Sequence, residues 1–242
     1  ATADLILEGG FVYEQEIYCA GQLYAGSHST FRAVYAGTDL ILGDNSTVAR
    51  WLHSQGHVHI GANSVVYGRV SIGSSITLGA GTRFERLNAS HIRFASDAPS
   101  NFWEHADIIE VEAWELPSGY VYIDDSTVLG RGSVKIPAQR SLAHSLIVKG
   151  ELVLEPECRV SGTLKAYTRL EIGAGATVAG AIVCEGPVII GTGARILGPV
   201  LSETEIIVAG GCLIGSAEAP TTVTAPRISM ALGSAICATL WA

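Results

Sequence analysis

Apolar and polar residues alternate along the chain in a ten-residue phrase that recurs at nearly constant intervals. The phrase has apolar residues at its second and fourth positions, Gly at its fifth, a small residue at its eighth and an apolar residue at its tenth, as in HVHIGANSVV from His57. Copies begin at positions 4, 22, 39, 57, 75 and 91, and again at 133, 151, 169, 187 and 205. A step of about 18 residues that persists this long predicts a repeat architecture.

The alternation within each copy predicts a short strand, a corner and a further strand. Leu170 and Ile172 are expected to point inward, and Gly173 is expected to lie at the corner. Three short faces fit in one coil of ~18 residues, and each coil pairs with its neighbours at ~4.8 Å spacing. We therefore predict an all-β fold, a single-stranded β-helix (β-solenoid) with three short faces per coil.

One inward position near the corner holds a small residue in nearly every copy, which indicates that equivalent positions stack on each other. An array of helices would instead show apolar spacings of three and four. The small residues are Ser29, Ser46, Ser64 and Thr82 in the first series of copies, and Cys158, Ala176, Ala194 and Cys212 in the second.

The two series of copies define a first β-helix block at 1–96 and a second at 120–242. Between them, residues 97–119 form an acidic, Trp-rich interruption without the phrase, DAPSNFWEHADIIEVEAWELPSG. A disordered linker seldom contains as many aromatic residues as Phe102, Trp103 and Trp114. We expect this interruption to pack along the solenoid, with a linker between the two blocks as the alternative.

Composition and charge exclude several classes of partner. Hydrophobic residues make up 48% of the 242 residues, and the net charge is −8 with no basic run. Nucleic acids and anionic membranes attract clustered Lys and Arg, so neither is an expected partner. No apolar stretch reaches the ~18 residues that a membrane-spanning helix requires.

Five cysteines occur, an odd number that leaves at least one unpaired. Cys158 and Cys212 occupy the same slot three coils apart, roughly 14 Å, which is beyond the reach of a disulfide. Cys19 and Cys184 also fall at inward positions. Buried, reduced thiols are therefore predicted, and they favour a cytoplasmic location.

The second block resembles the core of the bactofilins, a family of bacterial polymer-forming cytoskeletal proteins. The resemblance is carried by LEIGAGATVAGAIVCEGPVIIGTGARILGPV from Leu170 to Val200, and it extends over about residues 133–216. It implies a right-handed, three-sided β-helix that assembles end to end without a nucleotide or other cofactor. It also implies membrane association through short terminal segments that this chain does not contain. The Trp-rich interruption is a departure from the family.

The left-handed β-helix of hexapeptide-repeat acyltransferases is a second resemblance, since Ile172-Gly173, Val178-Ala179, Cys184-Glu185 and Ile190-Gly191 follow its six-residue step. It implies the opposite handedness and a His general base. If the chain is an enzyme, the candidates are His57 and His59, which alternate with inward residues, and the nearby His53. The simpler interpretation is exposed polar residues on a strand. His105, among Glu104, Asp107, Glu110 and Glu112, is interpreted as part of a solvated charged stretch.

An outward apolar stripe is the main candidate interaction surface, because the third position of the phrase faces solvent yet is often apolar. The chain also opens with ADLILEGG and closes with the apolar SAICATLWA, and neither resembles the polar cap of a solenoid. Both features predict contacts along or at the ends of the solenoid. The stripe consists of Ile6, Tyr24, Ile41, Val153, Ile189 and Ile207.

Three functions follow as hypotheses. The first is a non-enzymatic, self-associating scaffold of the bactofilin type, without cofactor or metal. The second is an acyltransferase-like enzyme, and the third is a solenoid that binds a protein or polysaccharide along one flank. We expect the first, with self-association and a protein as the possible partners.

Overall fold

A computed structural model describes residues 3–94, 111–117, 120–216 and 218–241. Every regular element in these ranges is a β-strand, and none of the described residues forms a helix of the length and apolarity that a membrane span requires. The chain divides into two compact units, residues 1–96 with 236–242, and residues 97–235. Together they comprise about 12 coils of about 18 residues.

The first unit contains two ladders of parallel strands, one short and one long. The short ladder contains β1 (Leu5–Leu7), β3 (Leu23–Ala25), β5 (Leu40–Leu42), β7 (Val58–Ile60), β9 (Ser75–Leu78) and β11 (His91–Phe94). The long ladder contains β2 (Val12–Cys19), β4 (Thr30–Ala36), β6 (Thr47–Ser54), β8 (Val65–Ile72) and β10 (Arg83–Asn88), and β32 (Ala238–Trp241) pairs antiparallel with β10.

Each long strand supplies two of the three faces of a coil, because it bends part-way along. The pairing register shifts at this bend between β2 and β4, between β4 and β6, and between β8 and β10. In β6, Val48 is buried, Ala49 and Arg50 are both exposed, and Leu52 and Ser54 are buried again. Two successive outward residues turn the inward side of the strand through a corner, as a β-bulge does.

The second unit has three ladders of short parallel strands, so that each coil carries one strand per face. The first ladder contains β12 (Glu112–Ala113), β16 (Arg140–Leu142), β19 (Arg159–Val160), β22 (Thr177–Val178), β25 (Arg195–Ile196) and β28 (Leu213–Ile214). The second contains β14 (Thr127–Gly130), β17 (Ser145–Val148), β20 (Leu164–Ala166), β23 (Ile182–Cys184), β26 (Val200–Ser202) and β29 (Thr221–Thr224), with β13 (Val121–Asp124) antiparallel to β14. The third contains β15 (Val134–Ile136), β18 (Glu151–Leu154), β21 (Arg169–Ile172), β24 (Val188–Ile190), β27 (Ile206–Val208) and β30 (Ile228–Met230), and β31 (Ala235–Ile236) spans the chain boundary between the units.

The core of the second unit is a column in which inward residues of successive coils lie in register. Leu170 pairs with Leu152 on one side and Val188 on the other, and all three are fully buried. Burying each such side chain stabilises the fold by roughly 1.5–3 kcal/mol. The predicted β-solenoid with about 18 residues per coil is confirmed, whereas its right-handed sense stays a prediction.

The small inward slot is also confirmed as a buried column. In the first unit, the Ser46 N–H donates to Ser64 Oγ at 3.2 Å, and both residues are buried. The hydroxyl of Ser64 donates in turn to the Gly43 carbonyl at 3.2 Å. Hydroxyl groups can therefore replace the Cys and Ala of the second unit, because each finds a backbone partner.

Gly173 opens the corner, as the sequence predicts. Its carbonyl accepts a hydrogen bond from the Ala176 N–H at 3.3 Å, and an added methyl group would overlap the Glu155 backbone. The positive φ of this corner, +66°, falls at Gly175, directly before the small slot. Asn45 and Asn63 take this left-handed conformation in the first unit, at φ 54° and 55°. Asn and Gly are the residues that adopt it at least cost.

Part of the interruption is described, and it packs on the second unit. Strand β12 pairs with β16, the Trp114 N–H donates to the Ser141 carbonyl at 2.8 Å, and the Trp114 ring contacts the Tyr120 ring at 5.8 Å. Phe102 and Trp103 lie outside the described residues. The closing apolar segment does not end as a bare apolar tail, because Ala238–Trp241 forms β32 and Leu240 is fully buried.

The core cysteines form no disulfides, as predicted. All five are buried and free of disulfides, with Cys158 and Cys212 in the small slot. Burial raises the pKa of the Cys158, Cys184 and Cys212 thiols, because it disfavours the thiolate. The folded chain therefore holds these protons to a higher pH than the unfolded chain. The stability that these thiols contribute is complete below the ordinary thiol pKa and falls as the pH rises above it.

We predict that Cys158, Cys184 and Cys212 resist iodoacetamide at pH 8 in the native chain, because the reactive thiolate is both scarce and shielded. Intact-mass spectrometry before and after addition of guanidinium chloride measures this, since unfolding should expose all three. Labelling of these residues at equal rates in both states would contradict the buried column.

A column of glycines marks a corner where neighbouring coils approach closely. Gly162, Gly180 and Gly198 are each 18 residues apart, and a methyl group on Gly180 would overlap the Gly162 carbonyl. We predict that Gly180→Ala lowers the free energy of unfolding by roughly 1–3 kcal/mol, because the coils must move apart. Denaturant titration followed by circular dichroism measures the change.

The matched control is Gly132→Ala, where an added methyl group meets nothing within 4 Å. It should change the free energy of unfolding by less than about 1 kcal/mol. Equal unfolding midpoints for the two variants would contradict the claim that Gly180 is required because neighbouring coils approach closely there.

Candidate functional surface

The three candidate histidines do not form one cluster. His59 is an exposed residue of β7, in register between Ile41 and Thr77 on the short ladder. His57 lies just before β7, and its Nδ1 is 2.7 Å from Ser75 Oγ and 3.3 Å from Ser74 Oγ. His53 lies on β6, in the long ladder.

The surroundings of His57 suit a structural role. Its backbone N–H donates to Asp39 Oδ1 at 2.7 Å, and its ring contacts hydroxyl groups of the next coil. Within the described ranges, no group of three or more His, Cys, Asp or Glu residues is placed to hold a metal ion. Of the acidic cluster predicted around His105, only Glu112 is described, and it pairs with Arg140.

The predicted apolar stripe consists of two separate runs. In the first unit, Ile6, Tyr24 and Ile41 are in register on adjacent strands. The Ile6 side chain is 78% exposed, whereas Ile41 is half-buried. In the second unit, Glu171 lies between Val153 and Ile189 and forms an ion pair with Arg169. Only Ile189 and Ile207 are adjacent there.

One concentration of exposed apolar area lies at the first coil, and another lies on β13, where Val121, Tyr122 and Ile123 are exposed. Leu5 and Leu7 of β1 point toward the core but are only half-buried, whereas Leu23 of the next coil is fully buried. Phe11 is 52% exposed, and the exposed Val12 follows it. The apolar core is therefore open at this coil.

A second surface lies on the long ladder, where outward residues form two rows across β2, β4, β6, β8, β10 and β32. The rows are two residues apart along each strand, so their side chains point to the same side. The Trp51 row contains Glu16, Ala33, Trp51, Arg69, Arg86 and Trp241, and the Tyr35 row contains Tyr18, Tyr35, His53, Ser71, Asn88 and Thr239.

Aromatic rings cover the part of this surface nearest the first coil. The Tyr18 and Trp51 rings meet edge to face at 6.0 Å although their strands are two apart, and Ala33 between them is fully buried. The Tyr35 and His53 rings stack at 5.4 Å with an interplanar angle of 11°.

A charged network borders these rings. The Tyr18 hydroxyl donates to Glu16 at 3.0 Å, and this hydrogen bond to a carboxylate raises the pKa of Tyr18. The same carboxylate accepts a hydrogen bond from Arg50 at 3.1 Å. The acidic end of the Trp51 row is therefore already neutralised.

An open groove of about 300 Å³ lies beside the rings, between β6 and β8. Its lining is Trp51, Leu52, His53, Arg69 and Ser71. Beyond it, the Arg86 guanidinium lies 3.9 Å from the Trp241 ring centroid, and the Asn88 side-chain amide donates to the Thr239 hydroxyl at 2.9 Å. Among the described residues, no acidic side chain pairs with Arg69.

The recurring phrase does not reveal this surface. The residues of the two rows come after each copy of the phrase, and the register shift conceals that their side chains point to the same side of the sheet. Trp241 also comes from a strand about 150 residues away along the chain, as the 151-residue separation of Asn88 and Thr239 indicates. The nearest available signal was the spacing of Tyr18, Tyr35 and His53, which differ by 17 and 18 residues like the phrase itself.

Comparison of the chain with family models, with curated proteins and with solved structures found no match in any of the three.

Proposed function

We propose that this chain is a non-enzymatic scaffold that self-associates through its first coil. The observation that carries the proposal is the open core there: Leu5 and Leu7 point inward but stay half-buried, and Phe11 is exposed. A second copy of the chain is the expected partner, because its own first coil presents the same strands and the same inward residues.

The backbone at this coil also favours association. Within the described residues, β1 pairs only with β3 and β2 pairs only with β4, so each strand has a free edge. Unpaired strand edges are templates for pairing with another chain.

The bactofilin-type assembly predicted from the second block belongs to this proposal. The stacked coils support it, because a column core of this kind could be extended by the coils of a second copy. Five buried cysteines that form no disulfide support a cytoplasmic location. The acyltransferase alternative has less support, because His53 is on a different ladder from His57 and His59.

We predict that Phe11→Glu weakens self-association by about tenfold or more, because a carboxylate placed in an apolar contact must lose its water. Sedimentation velocity over a range of concentrations measures the association constant, and negative-stain electron microscopy shows whether filaments form. The free energy of unfolding of a dilute sample tests whether the variant remains folded.

The control is Leu197→Glu, which changes another exposed apolar residue, 48% exposed, in the second unit. It should leave association unchanged. A wild-type chain that stays monomeric at all concentrations, or equal association of the two variants, would overturn the proposal.

A further inference from the structure

We infer that the two rows on the long ladder form a binding surface for an acidic polysaccharide, with the groove between Trp51 and Arg69 holding one uronate unit. The proposal can be tested separately from self-association, because its groove lies on β6 and β8, whereas the first coil exposes its core at β1 and at the start of β2. It combines three observations: flat aromatic surface, an arginine without an acidic partner, and regular spacing.

The Trp51 ring supplies surface for the C–H face of a sugar ring, and it is held in place by its edge contact with Tyr18 over the buried Ala33. The Tyr35 ring lies between the rings of Tyr18, at 6.0 Å, and His53, at 5.4 Å, so its faces are covered and it adds rigidity beside Trp51. A ring that is already fixed loses little conformational entropy when it binds a ligand. Both rings lie on a sheet whose backbone is paired on both sides, so the surface is rigid.

Arg69 supplies the charge. It is exposed at the groove, and no acidic residue among those described neutralises it. A planar guanidinium group binds a carboxylate through two parallel hydrogen bonds, which a neutral sugar cannot accept. Arg86, the next residue of the row, is positioned by the Trp241 ring and adds a second cation in line.

The spacing of the rows suits a polymer that runs across the strands. Neighbouring residues of a row are ~4.8 Å apart, which is about the length of one pyranose unit in a chain. Successive sugars therefore meet Trp51, Arg69 and Arg86 in turn. The Ser71 hydroxyl and the Asn88–Thr239 pair lie alongside, where they can exchange hydrogen bonds with sugar hydroxyl groups.

Aromatic residues with arginines also bind single-stranded nucleic acid, but the charge of this unit favours the glycan. Residues 1–96 contain six Arg and no Lys against seven acidic residues, and Arg50 is already paired with Glu16. A phosphate at every nucleotide requires many cations, whereas a polysaccharide with intermittent carboxylates requires few.

The test is titration of the full chain with hyaluronate, in which every second unit is a uronate, followed by isothermal calorimetry and tryptophan fluorescence, with a neutral dextran and oligo(dT) as comparison ligands. Hyaluronate should bind, and its affinity should fall as salt is added. Arg69→Gln should weaken binding about tenfold or more, because it removes a charge-assisted pair. Trp51→Ala should do the same, and Trp51→Phe should retain most of the affinity because it keeps a flat ring.

The matched control is Arg195→Gln, which removes an arginine without a described acidic partner from the second unit and should not change binding. Phe11→Glu should also bind hyaluronate normally, so a failure of the self-association proposal can be told apart from a failure of this one. No binding of hyaluronate, unchanged affinity in Arg69→Gln, or tighter binding of oligo(dT) through the same residues would overturn the inference.

Discussion

Parallel backbone pairing between successive coils is the interaction on which the rest of the structure depends. It places Leu170 between Leu152 and Val188, and it repeats this alignment from coil to coil. Because side chains alternate between the two sides of a strand, a slip of one residue would turn every inward residue toward solvent. The apolar column and the pairing register therefore stabilise each other, and neither persists without the other.

The same register also organises the outer surface. Residues at equivalent outward positions are brought into line whether or not the core needs them, and this produces the sequence Trp51, Arg69, Arg86 across adjacent strands. A solenoid thus converts a spacing of about 18 residues along the chain into a spacing of ~4.8 Å in space. Surfaces of this kind suit ligands that are themselves repetitive, such as filament partners or polysaccharides.

The two units solve the corner of the coil with different residues. In the first, Asn45 and Asn63 adopt the left-handed conformation and are followed by buried Ser residues whose hydroxyl groups bond to the backbone. In the second, Gly175 and Gly193 take that position and are followed by Ala. The corner requires a backbone conformation and a small neighbour, and more than one pair of residues meets both requirements.

The sequence by itself determined the β-solenoid, the length of its coil, the inward residues and the buried thiols, because each follows from a local period that repeats many times. It marked Gly173 as a corner residue where a side chain is costly, but it did not show that the positive φ falls at Gly175, since a glycine needed for close approach looks the same in sequence as one needed for positive φ. Tertiary structure alone decided which outward residues meet. The shift within each long strand brought Trp51 over Ala33, and the reversal of β32 placed Trp241 beside Arg86, because these contacts depend on bends and distant pairings that no local period contains.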